Sequence, residues 1–270
     1  MRELERDSRP TPAFAADALS GRLVAVGRGR AGGSIARAAR NAGLDVALAG
    51  REDAAELAAG ATVVLLCVPD GAIADAAATV AAADPVPGFV GHVSGASGLD
   101  ALAPAAAAGA QAFSLHPLQT IPSPETDLGG APCAVAGATE EAEAVARALA
   151  ERLGMAPFSV PEEGRAAYHA AASMASNFLI ALEESAAELM RAAGVADPRA
   201  ALAPLVLRTA ANWSEAGAEA LTGPIARGDE GTVERHLLAL RERAPHLVPL
   251  YEELAERTRR IARRDEGERR

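Results

Sequence analysis

The sequence contains no lysine, and all 26 basic side chains among its 270 residues are arginines. Schiff-base enzymes, P-loop nucleotide-binding proteins and enzymes with a lysine general acid all depend on a lysine amine. The absence of lysine therefore excludes these classes.

Aromatic residues are also scarce, at 3%, and 36 acidic residues give the chain a net charge of −10. A nucleic-acid-binding protein needs a basic surface, and stacking on single strands needs aromatic side chains. We therefore expect no nucleic-acid partner.

The two cysteines, Cys67 and Cys133, lie far apart in the sequence. This usage indicates a reduced, cytoplasmic protein without a disulfide framework. Proline, glycine or charge interrupts every apolar run before it reaches membrane-spanning length, so we expect no membrane partner. The cysteines and five histidines show no metal-ligand spacing, so we expect no metal site.

Short apolar runs alternate with alanine-rich helical stretches from Gly21 onward. We expect strands at residues 22–26, 45–49, 62–68, 89–93, 110–115, 133–136 and 156–160. Helices are expected between them at residues 31–42, 73–83, 99–108 and 140–153. Such alternation predicts an α/β fold with a doubly wound, mostly parallel sheet of the Rossmann type.

After Pro161 the pattern becomes entirely helical. A long amphipathic stretch covers residues 165–193, and further helices are expected at 199–216, 229–243 and 247–264, with Asp229 as an N-cap. The expected organisation is a flexible leader (1–20), a Rossmann domain (21–160), an all-helical substrate or dimerisation domain (161–264) and a tail (265–270).

A glycine-rich segment, GRGRAG at residues 27–32, matches the dinucleotide-binding pattern G-x-G-x-x-G. It follows the first expected strand and opens a helix, as that pattern requires. The glycines allow a tight turn, approach of the backbone to a pyrophosphate, and close helix–strand packing, while the helix N-terminus binds the pyrophosphate. The cofactor-binding residues expected here are Gly27, Gly29, Arg30, Ala31 and Gly32.

The residue that follows the second strand indicates whether the cofactor is NAD or NADP. An NAD enzyme places a carboxylate there for the ribose 2′-hydroxyl, whereas this chain places Arg51, whose guanidinium would pair with a 2′-phosphate. We therefore predict NADP(H). The alternative is that Glu52 or Asp53 binds the ribose and that Arg51 is a surface residue.

Ligands of such sheets bind outside the carboxyl ends of the strands. Val68 and Pro69 follow the third strand and are expected beside the nicotinamide ribose, while small and hydroxyl residues after the fourth strand leave room for a ligand. The residues expected near cofactor or substrate at this edge are Val68, Pro69, Ser94, Gly95, His116 and Gln119.

Several motifs together resemble the 6-phosphogluconate-dehydrogenase-like superfamily, and especially its Rossmann-like oxidoreductases with a helical C-terminal domain of unassigned function. The segments that carry the resemblance are VGRGRAG, LLCVPDGAIA, HVSGASG, SLHPLQT, YHAAASMASNFLIAL and LTGPIARGD. The resemblance implies a Rossmann domain, a helical domain that forms a homodimer, and an oxidoreductase activity.

Hydroxyisobutyrate and ketopantoate reductases carry a lysine and, four residues later, an asparagine early in the second domain. Asn177 resembles that asparagine, which implies a catalytic and substrate-binding role for it, but Ser173 stands where the lysine would be. The resemblance therefore leaves the proton donor unassigned.

A histidine with a pKa near 6.5 suits proton donation at neutral pH. We expect the proton donor to be His116 first, His169 second and Tyr168 third. His116 comes first because its His-Pro pair also resembles a substrate loop of prephenate dehydrogenases. These residues also have structural alternatives. His116 could instead form a hydrogen bond that fixes its loop. His169 and Asn177 could instead form polar contacts where the domains meet. Arg227 would clamp a substrate carboxylate or anchor its turn, and Arg165 is a weaker candidate of the same kind.

The sequence thus predicts an NADP(H)-dependent oxidoreductase for a small carbonyl compound, such as a 2-oxo acid of the ketopantoate type. One alternative is an imine reductase resembling pyrroline-5-carboxylate reductase. Another is a regulatory protein that binds NADP(H) without catalysis, and a prephenate-type dehydrogenase fits less well because the acid typical of NAD enzymes is missing.

Overall fold

A computed structural model describes residues 12–268, with side chains to residue 263. The chain divides into two compact units, of which the first ends at Ala175 and the second begins at Ser176. The expected leader falls outside the described residues up to residue 11, as does the end of the expected tail from residue 269.

The first unit is built on one seven-stranded sheet, in the order β2-β1-β3-β4-β5-β6-β7. The strands are β1 (Leu23–Val26), β2 (Val46–Ala49), β3 (Val63–Leu66), β4 (Phe89–His92), β5 (Gln111–Pro117), β6 (Pro132–Gly137) and β7 (Ala156–Ser159). All neighbouring strands are parallel except β5 and β6, which run antiparallel. The predicted Rossmann-type sheet is confirmed.

Helices cover both faces of this sheet. They are α1 (Ala13–Ala18), α2 (Arg30–Asn41), α3 (Ala54–Ala58), α4 (Ile73–Ala81), α5 (Ala103–Ala107) and α6 (Glu140–Arg152). The last helix of the unit is α7 (Arg165–Ala175). One core contains residues of α1, α2 and α6, and the other contains residues of α3, α4 and α5. Burial on both faces explains why the central strands are uninterrupted apolar runs.

The second unit consists of α8 (Asn177–Ala192), α9 (Pro198–Ala216), α10 (Glu230–Arg243) and α11 (Val248–Glu268), with short 3₁₀ turns. Its core cluster centres on Leu240, Ala244 and Leu247. The predicted N-cap at Asp229 is confirmed, because its side chain accepts a hydrogen bond from the Thr232 amide at 3.1 Å. Among the described residues, no helix combines the length and apolar character needed to cross a membrane.

Three details differ from the sequence-based expectations. Helix α1 lies within the expected leader, because Ala15 is fully buried in the core that α6 shares. Helix α3 was not expected, since five residues are too few to show a periodic pattern. The expected helix over residues 165–193 breaks at Ser176, whose φ of −121° and ψ of −72° are not helical. Serine and asparagine favour helix ends because they compete for backbone hydrogen bonds.

The two units meet in sequence at this break, whereas the sequence-based boundary lies at residue 160. Two side chains of α7 form hydrogen bonds that connect this helix to β5. Arg165 donates to the Ser114 hydroxyl at 3.0 Å, and Tyr168 hydrogen-bonds to His116, both on β5.

Candidate functional site

The turn between β1 and α2 requires two of its three glycines. Gly27 has a φ of +123°, and a Cβ there would lie 2.3 Å from the Cys67 carbonyl oxygen. A Cβ on Gly32 would lie 1.9 Å from the Gly27 carbonyl oxygen. Gly29 has no neighbour within 4 Å of such an atom, so its backbone is open to an approaching ligand. Arg30 and Ala31 begin α2.

A cavity of about 310 Å³ adjoins this turn, and Gly27, Arg51 and Val68 all line it. Three residues that the sequence assigned to the cofactor are thus brought together around one space. Ala54 and Thr79 complete part of the wall.

Both carboxylate oxygens of Asp53 interact with other groups of the protein. Its Oδ1 accepts the Gly50 amide at 2.6 Å, and its Oδ2 forms an ion pair with Arg28. The Gly50 amide, followed by Arg28, lowers the pKa of the Asp53 carboxyl. Asp53 therefore orders the loop after β2 and holds Arg28 there. Sequence reasoning missed Arg28, although an arginine inside the glycine motif marks it as a further cation at this site.

The loop after β4 is fixed by His92 and Ser94. The Ser94 amide donates to His92 Nδ1 at 3.2 Å, and His92 Nε2 lies 3.1 Å from the Gly98 carbonyl oxygen. Because Nδ1 accepts, the proton of the neutral ring is on Nε2 and is donated to Gly98. Burial lowers the pKa of His92 and keeps this ring neutral. The Ser94 hydroxyl accepts the Ala96 and Ser97 amides, at 3.2 and 2.9 Å.

Three polar rings meet beside this loop, on β5 and α7. His116 Nδ1 lies 2.6 Å from the Tyr168 hydroxyl, and the ring centres of His116 and His169 are 6.1 Å apart. A Cβ on Gly95 would lie 2.8 Å from both His116 Nε2 and His169 Nδ1. The structure therefore brings His116, His169 and Gly95 together. His169 Nδ1 is buried without a hydrogen-bond partner among the described residues.

Burial controls the protonation of these groups. It lowers the pKa of His116 from 6.5 to about 4, with smaller contributions in the same direction from His169 and Arg165. It raises the pKa of Tyr168 to about 12. The expectation of a histidine that titrates near neutral pH is therefore corrected for His116, whose ring is neutral at pH 7.

Arg165 is a buried cation near enough to His116 to affect its pKa. Arg165 is 6% exposed, and its Nε pairs with Glu162 Oε2 at 3.1 Å while its Nη2 donates to the Ser114 hydroxyl at 3.0 Å. Two partners thus fix the guanidinium at the first residue of α7.

The remaining predicted residues lie elsewhere. Gln119 donates to the Asp127 carbonyl oxygen at 2.8 Å and so ties together the long loop after β5. Pro69 precedes the 3₁₀ turn after β3. Asn177 is the first residue of α8, and Arg227 lies in a turn whose backbone bonds to Gly223, both in the second unit.

The neutral state of His116 predicts a pH dependence of stability. Between pH 6.5 and about 4 the unfolded chain binds a proton at His116 that the folded chain does not. The stability due to His116 is therefore complete above pH 6.5 and is lost as the pH falls toward 4. Urea unfolding of the wild type and His116→Gln should show a constant difference in unfolding free energy above pH 6.5. Below it, the wild type should lose stability relative to the variant, and parallel curves down to pH 4 would contradict the assignment.

Two family models match the chain. One is described as a Rossmann-like domain and matches residues 31–117, and the other is described as a domain of unknown function, DUF2520, and matches residues 131–258. A comparison with curated proteins finds no match.

Solved structures resemble the chain over most of its length. BF3122 of Bacteroides fragilis, inferred to be an NADP oxidoreductase, is 22% identical with a TM-score of 0.75, covering 90% of this chain and 99% of that one. TM1727 of Thermotoga maritima is 24% identical with a TM-score of 0.72, covering 92% and 100%. A pyrroline carboxylate reductase of Plasmodium falciparum with NADP bound is 12% identical with a TM-score of 0.57, covering 90% and 99%.

At these identities the structures establish a shared fold, and the family models agree with the motifs that carried the resemblance. Along the chain, a segment that matches a Rossmann-like domain is followed by one that matches DUF2520, and the chain shares its fold with these solved structures.

Proposed function

We propose that this protein is an NADP(H)-dependent oxidoreductase that transfers hydride to or from a small carbonyl compound, with 2-oxo acids of the ketopantoate type as the expected substrates. The observation that carries the proposal is the pair of imidazoles at Gly95, on the sheet edge where ligands of this fold bind. The same unit holds the glycine turn and its cavity. The similar Plasmodium falciparum reductase has NADP bound.

The residues around the glycine turn fit a dinucleotide. Gly29 leaves the backbone open for a pyrophosphate at the N-terminus of α2. Arg51 lines the adjoining cavity, and Arg28 lies against the same loop. Both carboxylate oxygens of Asp53 already have protein partners, which favours Arg51 and a 2′-phosphate over the alternative of a ribose bound by Asp53. When bound, the cofactor supplies the hydride.

On the substrate side, His116 and His169 are proposed to hydrogen-bond the reacting oxygen, and solvent water supplies the proton that the alkoxide takes up after hydride transfer. His116 does so as a neutral ring, since its pKa is about 4. A neutral imidazole is a hydrogen-bond donor that polarises a carbonyl without carrying charge. Ser94, Gln119, Asn177 and Arg227 remain proposed substrate-binding residues on the basis of the sequence.

Imine reduction is the second candidate, and a specific observation favours it. His116 with a pKa of about 4 and Tyr168 with a pKa of about 12 supply no strong acid at neutral pH. A protonated imine accepts hydride at carbon without a further proton from the protein. The fold similarity to a pyrroline carboxylate reductase is consistent with this reading.

A homodimer formed by the helical domain is also proposed. Phe178 and Ile180 on α8 are 62% and 63% exposed, and Leu207 and Trp213 on α9 are 71% and 68% exposed. Apolar side chains in such numbers on neighbouring helices are typical of an interface.

Sedimentation equilibrium tests the homodimer. The wild type should sediment as a dimer, and the double variant Phe178→Asp, Ile180→Asp should sediment as a folded monomer, because buried carboxylates oppose association. A monomeric wild type at micromolar concentration, or a variant that dimerises equally well, would refute the proposed interface.

Arg51→Ala should weaken NADPH binding about tenfold or more while leaving NADH binding nearly unchanged, because the guanidinium bonds to a phosphate that only NADPH carries. Fluorescence titration with both cofactors measures the ratio. Arg40→Ala, at the exposed end of α2, is the matched control and should not change it. An unchanged ratio in Arg51→Ala would show that another residue selects the cofactor.

NADPH oxidation against a panel of 2-oxo acids and cyclic imines tests the reaction. With the carbonyl substrate, the double variant His116→Ala, His169→Ala should be slower by about a hundredfold or more, since both donors are lost. The exposed His246→Ala is the control. A double variant that keeps the full rate would contradict the assigned donors, and silence of the wild type across the panel would favour the regulatory alternative.

A further inference from the structure

Tyr168 and His116 form a pair of well-defined geometry. The phenol oxygen lies 2.6 Å from Nδ1, and the two rings are perpendicular, at 87°, with centres 5.6 Å apart. Among residues 12–268, Nδ1 of His116 is the only hydrogen-bond partner of the Tyr168 hydroxyl. The pair joins the end of β5 to the first turn of α7.

The direction of this hydrogen bond follows from what each group has available. The phenol keeps its hydrogen, because burial raises its pKa to about 12. That hydrogen has one acceptor within reach, the lone pair of Nδ1. If Nδ1 carried the proton instead, the phenolic hydrogen would have no acceptor among the described residues, and a polar hydrogen left unpaired at a partly buried site is costly. Tyr168 therefore donates, and Nδ1 accepts.

An accepting Nδ1 determines the state of the opposite nitrogen. A neutral imidazole has one N–H, so the proton resides on Nε2. The groups whose charges act on His116 are His169, Arg165, His92 and Asp70, and of these only Asp70 favours a second proton. Burial outweighs Asp70, and the ring stays neutral.

Nε2 faces the loop after β4. A Cβ on Gly95 would be 2.8 Å from Nε2, so glycine at this position lets the loop pass close to the ring without a side chain against this N–H. His169 Nδ1, which has no partner among the described residues, lies at the same distance from that position. A ligand atom that accepts a hydrogen bond from Nε2–H beside Gly95 would therefore also lie near His169.

We propose that Tyr168 is a positioning residue that holds the single proton of His116 on Nε2, where the neutral ring donates a hydrogen bond to the oxygen or nitrogen of the substrate. The use of this proton rests on the proposed function. The location of the proton does not, because it is a property of the protein alone. Tyr168 acts through His116 and need not touch the substrate.

The chain contains a matched control pair. His236 Nδ1 lies 2.7 Å from the Tyr251 hydroxyl, with ring centres 5.9 Å apart and perpendicular at 89°. This second pair has nearly the same geometry but is exposed and belongs to the helical unit. Tyr251→Phe therefore removes an equivalent hydroxyl without touching the proposed site.

Nitrogen NMR of the full-length protein at pH 7.5, with ¹⁵N-labelled histidine and His116 assigned from His116→Gln, tests the inference. In the wild type, Nδ1 of His116 should give an unprotonated, pyridine-type signal and Nε2 a protonated, pyrrole-type signal. In Tyr168→Phe both signals should move toward each other, because the two neutral tautomers then exchange. Tyr251→Phe should leave the His116 signals unchanged. Circular dichroism confirms that both variants fold.

Kinetics with a substrate found in the panel of 2-oxo acids and cyclic imines adds a second measurement. Tyr168→Phe should lower kcat about tenfold with little change in KM for NADPH, whereas Tyr251→Phe should keep the wild-type rate. A protonated Nδ1 in the wild type, or His116 signals unchanged in Tyr168→Phe, would overturn the inference. The NMR result stands whether or not turnover is found, so failure of the proposed function and failure of this inference are distinguishable.

Discussion

The parallel hydrogen bonding from β2 through β5 is the constraint on which the site depends. Four parallel pairings bring the carboxyl ends of β2, β1, β3, β4 and β5 to one edge. The glycine turn, Val68, the Ser94 loop and His116 are spread over about a third of the sequence, yet all follow or end these strands. The antiparallel β6 then turns the chain back along β5. The sheet therefore assembles the loops, and each loop needs only local features to place its side chains.

Desolvation is the second organising effect, and it acts on groups that have hydrogen-bond partners but little countercharge. His92 and His116 are both driven toward the neutral form by burial, and Arg165 adds to this effect. Arg165 has the Glu162 carboxylate and the Ser114 hydroxyl as fixed partners. The result is a set of oriented neutral donors and acceptors next to a single buried cation. Such a set would polarise a bound ligand through fixed dipoles rather than through a mobile proton.

The sequence predicted the features that are local. Strand positions followed from apolar runs, the roles of Gly27 and Gly32 from the glycine motif, and the Asp229 cap from the start of a helix. It could not predict what depends on distant partners: the Tyr168–His116 bond joins residues 52 positions apart, and the pKa of His116 depends on burial by other segments. Helix α1 was missed for the same reason, since the burial of Ala15 depends on distant residues of the core. The break at Ser176 coincides with a Ser-Asn pair. The regular apolar pattern on both sides of this pair favoured a continuous helix, so the break was not predicted.

The ion pair between Arg28 and Asp53 has a consequence for conditions in solution. Both side chains are accessible to water, with 58% and 31% of their surface exposed. Charges at such positions are screened by dissolved ions within about 10 Å at 0.1 M salt. A 2′-phosphate arriving at this loop would compete with Asp53 for Arg28, and both attractions weaken as ions are added. If this loop selects one dinucleotide over another, that selectivity would depend on ionic strength as well as on the residues that form the loop.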